Sequence, residues 1–380
     1  MFLQIHTLTA YPASLLNRDD AGLAKRIPFG NAVRLRVSSQ CLKRHWREDF
    51  TPRLPELPDG QRTRSFFTRT VLPKAIAAGV PESVASQLIE PLAKALIDGG
   101  VKEDGDLSQP VLFGLREADY FAQILQAVSQ GPDPVKALAE RLKSKAEKDN
   151  FKALSKSAAG LTASIFGRMV TSDLLARVDA PVHVAHSLTV HAAHTEMDYF
   201  TVVDDLNRDD ETGAAHANQT ELGAGLYYGY VVVDVPLLVS NLTSSDAKDW
   251  RTQDHTTARR VLEALIDSIL RQSPGAKKGS TAPYAWSDVL FVETGSSQPR
   301  ALSNAFLDAL RPDGKTDLRV AALTRLDNYV QQIDAMYGTP GNGENRFLST
   351  TLEQPQHLPS RQPVPQTIAA ALDSLFGLKA

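Results

Sequence analysis

The feature that most constrains this fold is a change of texture that happens twice along one chain. From about Arg62 to Met169 apolar residues recur at helical spacing, as in "VPESVASQLIEPLAKALIDGG" and "DPVKALAERLKSKAEKDNFKALSKSAAGL", with Gly- and Pro-containing breaks and little β-branched alternation. On both sides the period is two. "FLQIHTLTAY" and "AVRLRV" before the block, and "APVHVAHSLTVHAAHT" and "LYYGYVVVDVPLLV" after it, predict strands. Strands that stop for a helical block and then resume imply an α+β protein, a sheet unit with a helical insertion. "TPRLPELPDG" marks the first boundary, because Pro52, Pro55 and Pro58 suit the interior of neither a helix nor a central strand.

Finer elements follow from the punctuation. "LLNRDDAGLAKRIPFGN" reads as a long loop, and Ser38 or Ser39 caps a helix. The polar stretch "VDDLNRDDETGAAHANQTELGAG" between two strands predicts a protruding hairpin, and its acidic run Asp204, Asp205, Asp209, Asp210 and Glu211 reads as a solvated connection. Helices are expected at "TTARRVLEALIDSILRQ" and "ALSNAFLDAL" with a strand "DVLFVET" between them. The tail "TTLEQPQHLPSRQPVPQ" is expected to be extended before a last short helix.

Composition narrows the function. A chain of 380 residues that is 42% hydrophobic can bury a sizeable core. Its net charge of -3 supplies no overall basic field, so a nucleic-acid partner needs a local patch. The single Cys41 forms no internal disulfide, no stretch has the length of a membrane span, and "MFLQIHTLTAYP" lacks a basic region followed by an apolar run. The expectation is a cytoplasmic protein with no membrane partner.

Such a patch exists. From Asn17 to Arg47 the chain carries eight Lys or Arg against Asp19 and Asp20. On a helical wheel Gln40, Lys43, Arg44 and Arg47 share one arc, while Leu42, Trp46 and Phe50 share another. The start of that helix also favours anions through its backbone N–H groups and dipole. The same wheel equally describes an ordinary solvated face. Arg34 and Arg36, read as neighbours on one strand face with Val33, Leu35 and Val37 on the other, extend the patch and favour a phosphate track, which holds a backbone without reading bases.

Other constellations are weaker. His183, His186, His191 and His194 invite a zinc reading, but residues three apart on a strand point to opposite faces, so satisfied polar or core histidines are favoured and no metal is assigned. Asp19 and Asp20 suit an Asx-type turn better than a metal-binding carboxylate pair, given Arg18 beside them. No nucleophile elbow, phosphate-binding loop or Cys-His arrangement occurs, so no catalytic residue and no cofactor is assigned. Tyr199, Phe200, Val203 and Met169 are core residues or stacking partners for unpaired bases.

At this point "LLNRDDAGLAKRIPFGNAVRLRVSSQCLKRHWR", "GRMVTSD", "VDAPVHVAHSLTVHAAHTEMDYFTVVDDL", "TELGAGLYYGYV", "PGAKKGSTAPYAW" and "ALSNAFLDAL" resemble, in order, segments of the CasC backbone-subunit family of type I-E CRISPR surveillance complexes, Cascade. The likeness covers most of the chain and is weakest between about 55 and 160 and after 345. The resemblance implies a right-hand shape: a modified RRM-like, ferredoxin-like palm (1–58, 180–194 and 224–380), helical fingers (59–179) and a β-hairpin thumb (195–223). It also implies a non-enzymatic protein whose copies form a helical filament on crRNA. Each thumb then displaces every sixth nucleotide and leaves the intervening bases to pair with target DNA in an R-loop. Further implied partners are the large, small, 5′-end cap and crRNA-processing subunits. On the matching positions, Arg18, Lys25, Ser38, Gln40, Lys43, Arg44 and Arg47 would hold crRNA phosphates or sugars. Arg168 and Met169, with Phe200 and Val203, would meet the displaced nucleotides. The family commonly has Trp where this chain has Tyr199. Lys277 and Lys278 lie in a Gly-rich loop, where nucleic acid and a neighbouring subunit are both open as partners, and the resemblance does not place them. Two alternatives stand beside this reading: a metal-dependent target-RNA nuclease using Asp19 and Asp20, as in backbone subunits of type III complexes, and a duplex-DNA regulator, for which there is no helix-turn-helix signal.

Overall fold

The computed structural model describes residues 1–154, 159–169, 174–175, 177–203, 214–338 and 345–377, with the side chains of 152–153, 201–203 and 214–218 outside that description. The described strands are β1 (Phe2–Ser14), β2 (Arg26–Phe29), β3 (Ala32–Val37), β4 (Gly60–Thr63), β5 (Val111–Gly114), β6 (Val182–Val184), β7 (Ser187–Thr189), β8 (His194–Val203), β9 (Ala214–Asp234), β10 (Val289–Gly295) and β11 (Arg346–Thr350). The chain divides into two units, the first comprising 1–50, 184–233 and 262–380 and the second 51–183 and 234–261. The first division falls at Thr51, where the proline-rich segment begins.

In the first unit the strands run β11-β10-β1-β9-β7-β3-β2, with β8 paired to β9. β1 lies inside this order and is buried almost continuously from Leu3 to Thr9, so simple alternation fails there. On one side Leu8, Phe291, Leu326 and Val330 share a core that draws on the helix Leu318–Tyr337. On the other, Ile5, Thr7 and Val37 face Leu42 and Trp46 of helix α1 (Ser39–Phe50), together with Ile269. Ser268 donates to Asp49 Oδ2 at 2.6 Å and ties α1 down.

A buried charge network closes the β1–β10–β11 end of the sheet. Glu293 accepts from Arg346 Nε at 2.9 Å and from Arg300 Nη2 at 3.2 Å, and the other nitrogens of Arg346 reach Asp334. His6 stacks between Tyr230 and Phe291 and bonds the Tyr228 hydroxyl at 2.8 Å. Burial lowers its pKa, against the neighbouring Glu293 carboxylate, which acts to raise it.

The second unit is mainly helical, with helices at Glu82–Leu96, Leu115–Val128 and Pro134–Lys143 among those packed around Phe66, Phe67, Phe113 and Phe121. Phe66 and Phe113 stack at 4.3 Å between centroids. Its antiparallel pair β4–β5 departs from the all-helical expectation: both strands are four residues long, too short for alternation to register.

Several local expectations are corrected. Residues 26–37 are not loop followed by strand but a β2–β3 hairpin around Gly30-Asn31; Gly30 has φ +62°, and a Cβ there would lie 1.7 Å from the Leu307 carbonyl oxygen. Only Ser303–Phe306 of "ALSNAFLDAL" is helical, as a 3-10 turn. β9 ends at Asp234, whose carboxylate caps a helix over Val235–Thr243, so "PLLV" is not strand. The helix Leu318–Tyr337 and strand β11 have no counterpart in the sequence reading.

Candidate nucleic-acid interface

Helix α1 forms as its sequence pattern dictates. Ser38 Oγ accepts the Cys41 N–H at 3.3 Å as the N-cap, and Leu42, Trp46 and Phe50 are buried one turn apart. Gln40 and Arg44 are exposed, and Lys43 and Arg47 half-buried, on the remaining surface. Burial of its stem lowers the Lys43 pKa. Arg44 Nε bonds Glu48 Oε1 at 2.8 Å, an exposed i,i+4 pair of a kind worth about 0.3–0.5 kcal/mol, which yields readily to a phosphate.

The preceding loop is fastened to the start of this helix. Asn17 accepts the Ser38 N–H on its side chain and the Lys25 N–H on its carbonyl, both at 2.9 Å, and the Lys25 carbonyl accepts the Arg36 N–H at 2.8 Å. Arg18 is thereby exposed on the loop and Lys25 half-buried beside the helix. Burial pushes the Cys41 thiol pKa up, while the charges of Arg44, Lys25 and Lys278 all act to lower it. Asp19 is occupied within the loop: its Oδ1 accepts the Ala21 and Leu23 N–H groups at 3.0 and 2.9 Å, which is Asx-turn geometry.

The two strand arginines do not share a surface. Arg34 is fully buried, donating to the carbonyls of Thr189 at 3.1 Å and Phe306 at 2.6 Å, so it is a structural cross-link and not part of a phosphate track. Val33 takes the exposed position instead. Arg36 Nη1 donates to His186 Nδ1 at 2.9 Å. Burial first, then the charges of Arg36 and Lys25, lower the His186 pKa.

β8 and β9 form the expected antiparallel hairpin, with Phe200 opposite Asn218 and Asp198 opposite Thr220. Met197, Tyr199 and Phe200 are exposed apolar residues on it. Val203 ends β8, but its side chain and the acidic run 204–211 lie outside the described residues. The base of the hairpin is held to the basic loop by Glu221, buried on β9, which accepts the Ala24 N–H at 2.7 Å and pairs with Arg26; Arg26 in turn donates to Thr195 on β8. Lys277 donates to Thr220 Oγ1 at 2.5 Å and lies 5.3 Å from the Phe200 ring centroid. Glu221, Lys277 and Lys278 thus belong to this region; the Gly-rich loop singled out the two lysines in the sequence, and nothing local singled out Glu221.

In the second unit Met169 is 86% exposed at the rim of a cavity of about 310 Å³ whose lining includes Arg62, Leu112 and Arg177. Arg168 beside it is buried, its Nη1 bonding both Glu117 oxygens at 2.8 and 2.7 Å. The expectation that Arg168 meets RNA is therefore corrected: its guanidinium is enclosed and anchors the segment that presents Met169. Of the four histidines, His191 is buried and accepts the Leu226 N–H, its ring lies 5.4 Å from that of His194, and His183, His186 and His194 are exposed. Among the described residues no three His, Cys, Asp or Glu side chains are placed to hold a metal ion.

The whole fold has counterparts in solved structures. A chain of a "CRISPR RNA-guided surveillance complex, pre-nicking" is similar with a TM-score of 0.79 and 25% identity, covering 99% of this chain and 100% of that one. A chain of another CRISPR RNA-guided surveillance complex shares the fold with a TM-score of 0.60 at 22% identity, over 99% of this chain and all of that one. No curated protein matches the sequence. Fold and sequence together define a Cascade-type CRISPR protein with an α+β architecture. The chain belongs to the CT1975-like protein family (Cas_CT1975), whose sequence model matches residues 3–374.

Proposed function

We propose that this protein is a non-catalytic backbone subunit that binds crRNA, stacks with further copies of itself along the guide, and presents the guide for pairing with target DNA in a type I-E-like complex. The observation that carries the reading is the convergence of Arg18, Lys25, Lys43, Arg44 and Arg47 on one loop-and-helix surface next to a hairpin with exposed apolar residues, in a chain whose net charge is -3. A cationic track holds the sugar-phosphate backbone, and Phe200 and Met169 offer apolar faces to displaced nucleotides. Repetition of the local patch along a filament makes overall basicity unnecessary, and sequence specificity resides in base pairing. The first unit acts as the palm, the β8–β9 hairpin as the thumb and the helical unit as the fingers. The Asx-turn role of Asp19 argues against the nuclease alternative.

The test is to express the chain with its neighbouring subunits and a CRISPR array, purify through a tag on this chain, and size the RNA. The expected result is RNA of spacer-plus-repeat length with periodic nuclease protection. Protein without RNA, or random fragments without periodicity, overturns the proposal.

A further inference from the structure

Resting on that reading, we infer that the loop Gly275–Pro283 is a second RNA-contacting element, with Lys278 extending the phosphate track of α1 and Lys277 holding the backbone of the nucleotide whose base lies against Phe200. The ligand class is single-stranded RNA.

Three independent observations converge on this loop. First, it is built into the same surface: the Ala276 N–H donates to the Leu15 carbonyl at 2.9 Å, just before the loop that carries Arg18 and Lys25. Lys278, two residues further on and half-buried, acts electrostatically on Cys41 of α1 as Lys25 and Arg44 do. Second, Lys277 is positioned on the hairpin. Its ammonium bonds Thr220 and lies 5.3 Å from the Phe200 centroid, while Phe200 remains 40% exposed. A cation beside a partly open aromatic ring offers one group for a phosphate and one for a base, the pairing that single-strand binding uses. Third, Lys277 is exposed at φ +53°, a left-handed conformation that glycine adopts freely and that L-residues with a Cβ rarely take. Gly275 and Gly279 flank it in sequence, yet the strained position carries a lysine. The adjacent lysines thus serve the two halves of the interface, one at the helix and one at the hairpin.

The experiment measures binding of a fluorescent single-stranded RNA by the full chain as a function of salt, for the wild type, Lys277→Gln, Lys278→Gln, the double variant, Phe200→Ala, Lys43→Glu with Arg47→Glu, and Lys248→Gln as an exposed control. Glutamine removes the charge with a polar side chain one atom shorter and leaves the backbone conformation to the same kind of L-residue; circular dichroism checks that folding is preserved. The expected result is that each lysine variant binds about three- to tenfold more weakly and loses about 0.7 from the log–log salt slope, the double variant losing about twice that, with the control unchanged. A 2-aminopurine base placed in the RNA is expected to lose its wild-type quenching in Phe200→Ala and to be less quenched in Lys277→Gln. Wild-type affinity and slope in both lysine variants, alongside weakened Phe200 and Lys43/Arg47 variants, overturn this inference and leave the parent reading standing. No RNA binding by the wild type overturns both.

Discussion

Glu221 lies 197 residues beyond Ala24 in sequence and accepts its backbone N–H at 2.7 Å, fastening the basic loop to the base of the hairpin. The carboxylate is buried and also pairs with Arg26, so its removal leaves a buried N–H and a guanidinium without their acceptor. Glu221→Ala is expected to destabilise the protein by about 1–3 kcal/mol and to weaken RNA binding by loosening Arg18 and Lys25. Urea unfolding and RNA titration check the two effects. An unchanged midpoint together with unchanged affinity removes the fastening role.

Lys43→Glu with Arg47→Glu isolates electrostatics from folding. Both residues are only half-buried on the outward side of α1, so stability should move by no more than about 1 kcal/mol in all. RNA retention should be lost at moderate salt, with the log–log salt slope of the residual binding lower by at least about 1.4. Full RNA retention on purification would contradict the phosphate track.

Arg34 predicts the opposite pattern. Its guanidinium is fully buried among the carbonyls of Thr189, Phe306 and Leu307, so Arg34→Met leaves acceptors unsatisfied and costs about 3 kcal/mol or more. The expected signature is a lower melting temperature with an unchanged salt slope for whatever RNA the folded fraction binds. A stable Arg34→Met protein with a reduced slope would return this arginine to the interface.

Acid should attack the buried end of the sheet. Burial alone pushes the Glu293 carboxyl up, but His6 and the Arg300 and Arg346 guanidiniums outweigh it and bring the pKa down to about 2. A depressed carboxylate pKa stabilises the fold above its unfolded value of about 4.3, and that contribution is lost as pH falls toward the folded value. It amounts to about 3 kcal/mol at pH 7. Stability of the wild type should therefore drop between about pH 4.5 and pH 2, and Glu293→Gln should flatten that part of the curve. Denaturant midpoints across this range check it, and parallel curves for the two proteins would show that Glu293 does not carry the acid sensitivity.

Much of the interface was legible locally. Ser38 as cap, Leu42, Trp46 and Phe50 as the buried stripe, and Lys43, Arg44 and Arg47 on the other surface all follow from the 3.6-residue period within one helix. A protruding hairpin was legible from the long polar stretch, but its strands were not: most of β8 lies beyond "APVHVAHSLTVHAAHT", and 214–225 of β9 lie in what reads as polar connection. The β2–β3 hairpin also left a readable mark, since a two-residue Gly-Asn turn between Phe29 and Ala32 is a recognised hairpin signal. The four- and five-residue strands β4, β5 and β11 left none, because so few residues cannot establish a period.

The sequence by itself determined what depends on neighbours in the chain: the α+β texture, the proline-rich stretch 51–60, the amphipathic α1 and a local surplus of cations in a net-negative protein. Only the tertiary structure decided which charges face solvent. Arg34 and Arg36 are equivalent by alternation, yet one is enclosed by carbonyls some 155 to 273 residues away and the other meets His186. Arg168 is likewise enclosed by Glu117, while Lys277 is carried to Phe200 and Thr220 by chain closure. The physical reason is the same in each case. Burial of a charge is set by whether distant backbone or carboxylate oxygens arrive to satisfy it, and that is a property of packing, which no local period encodes.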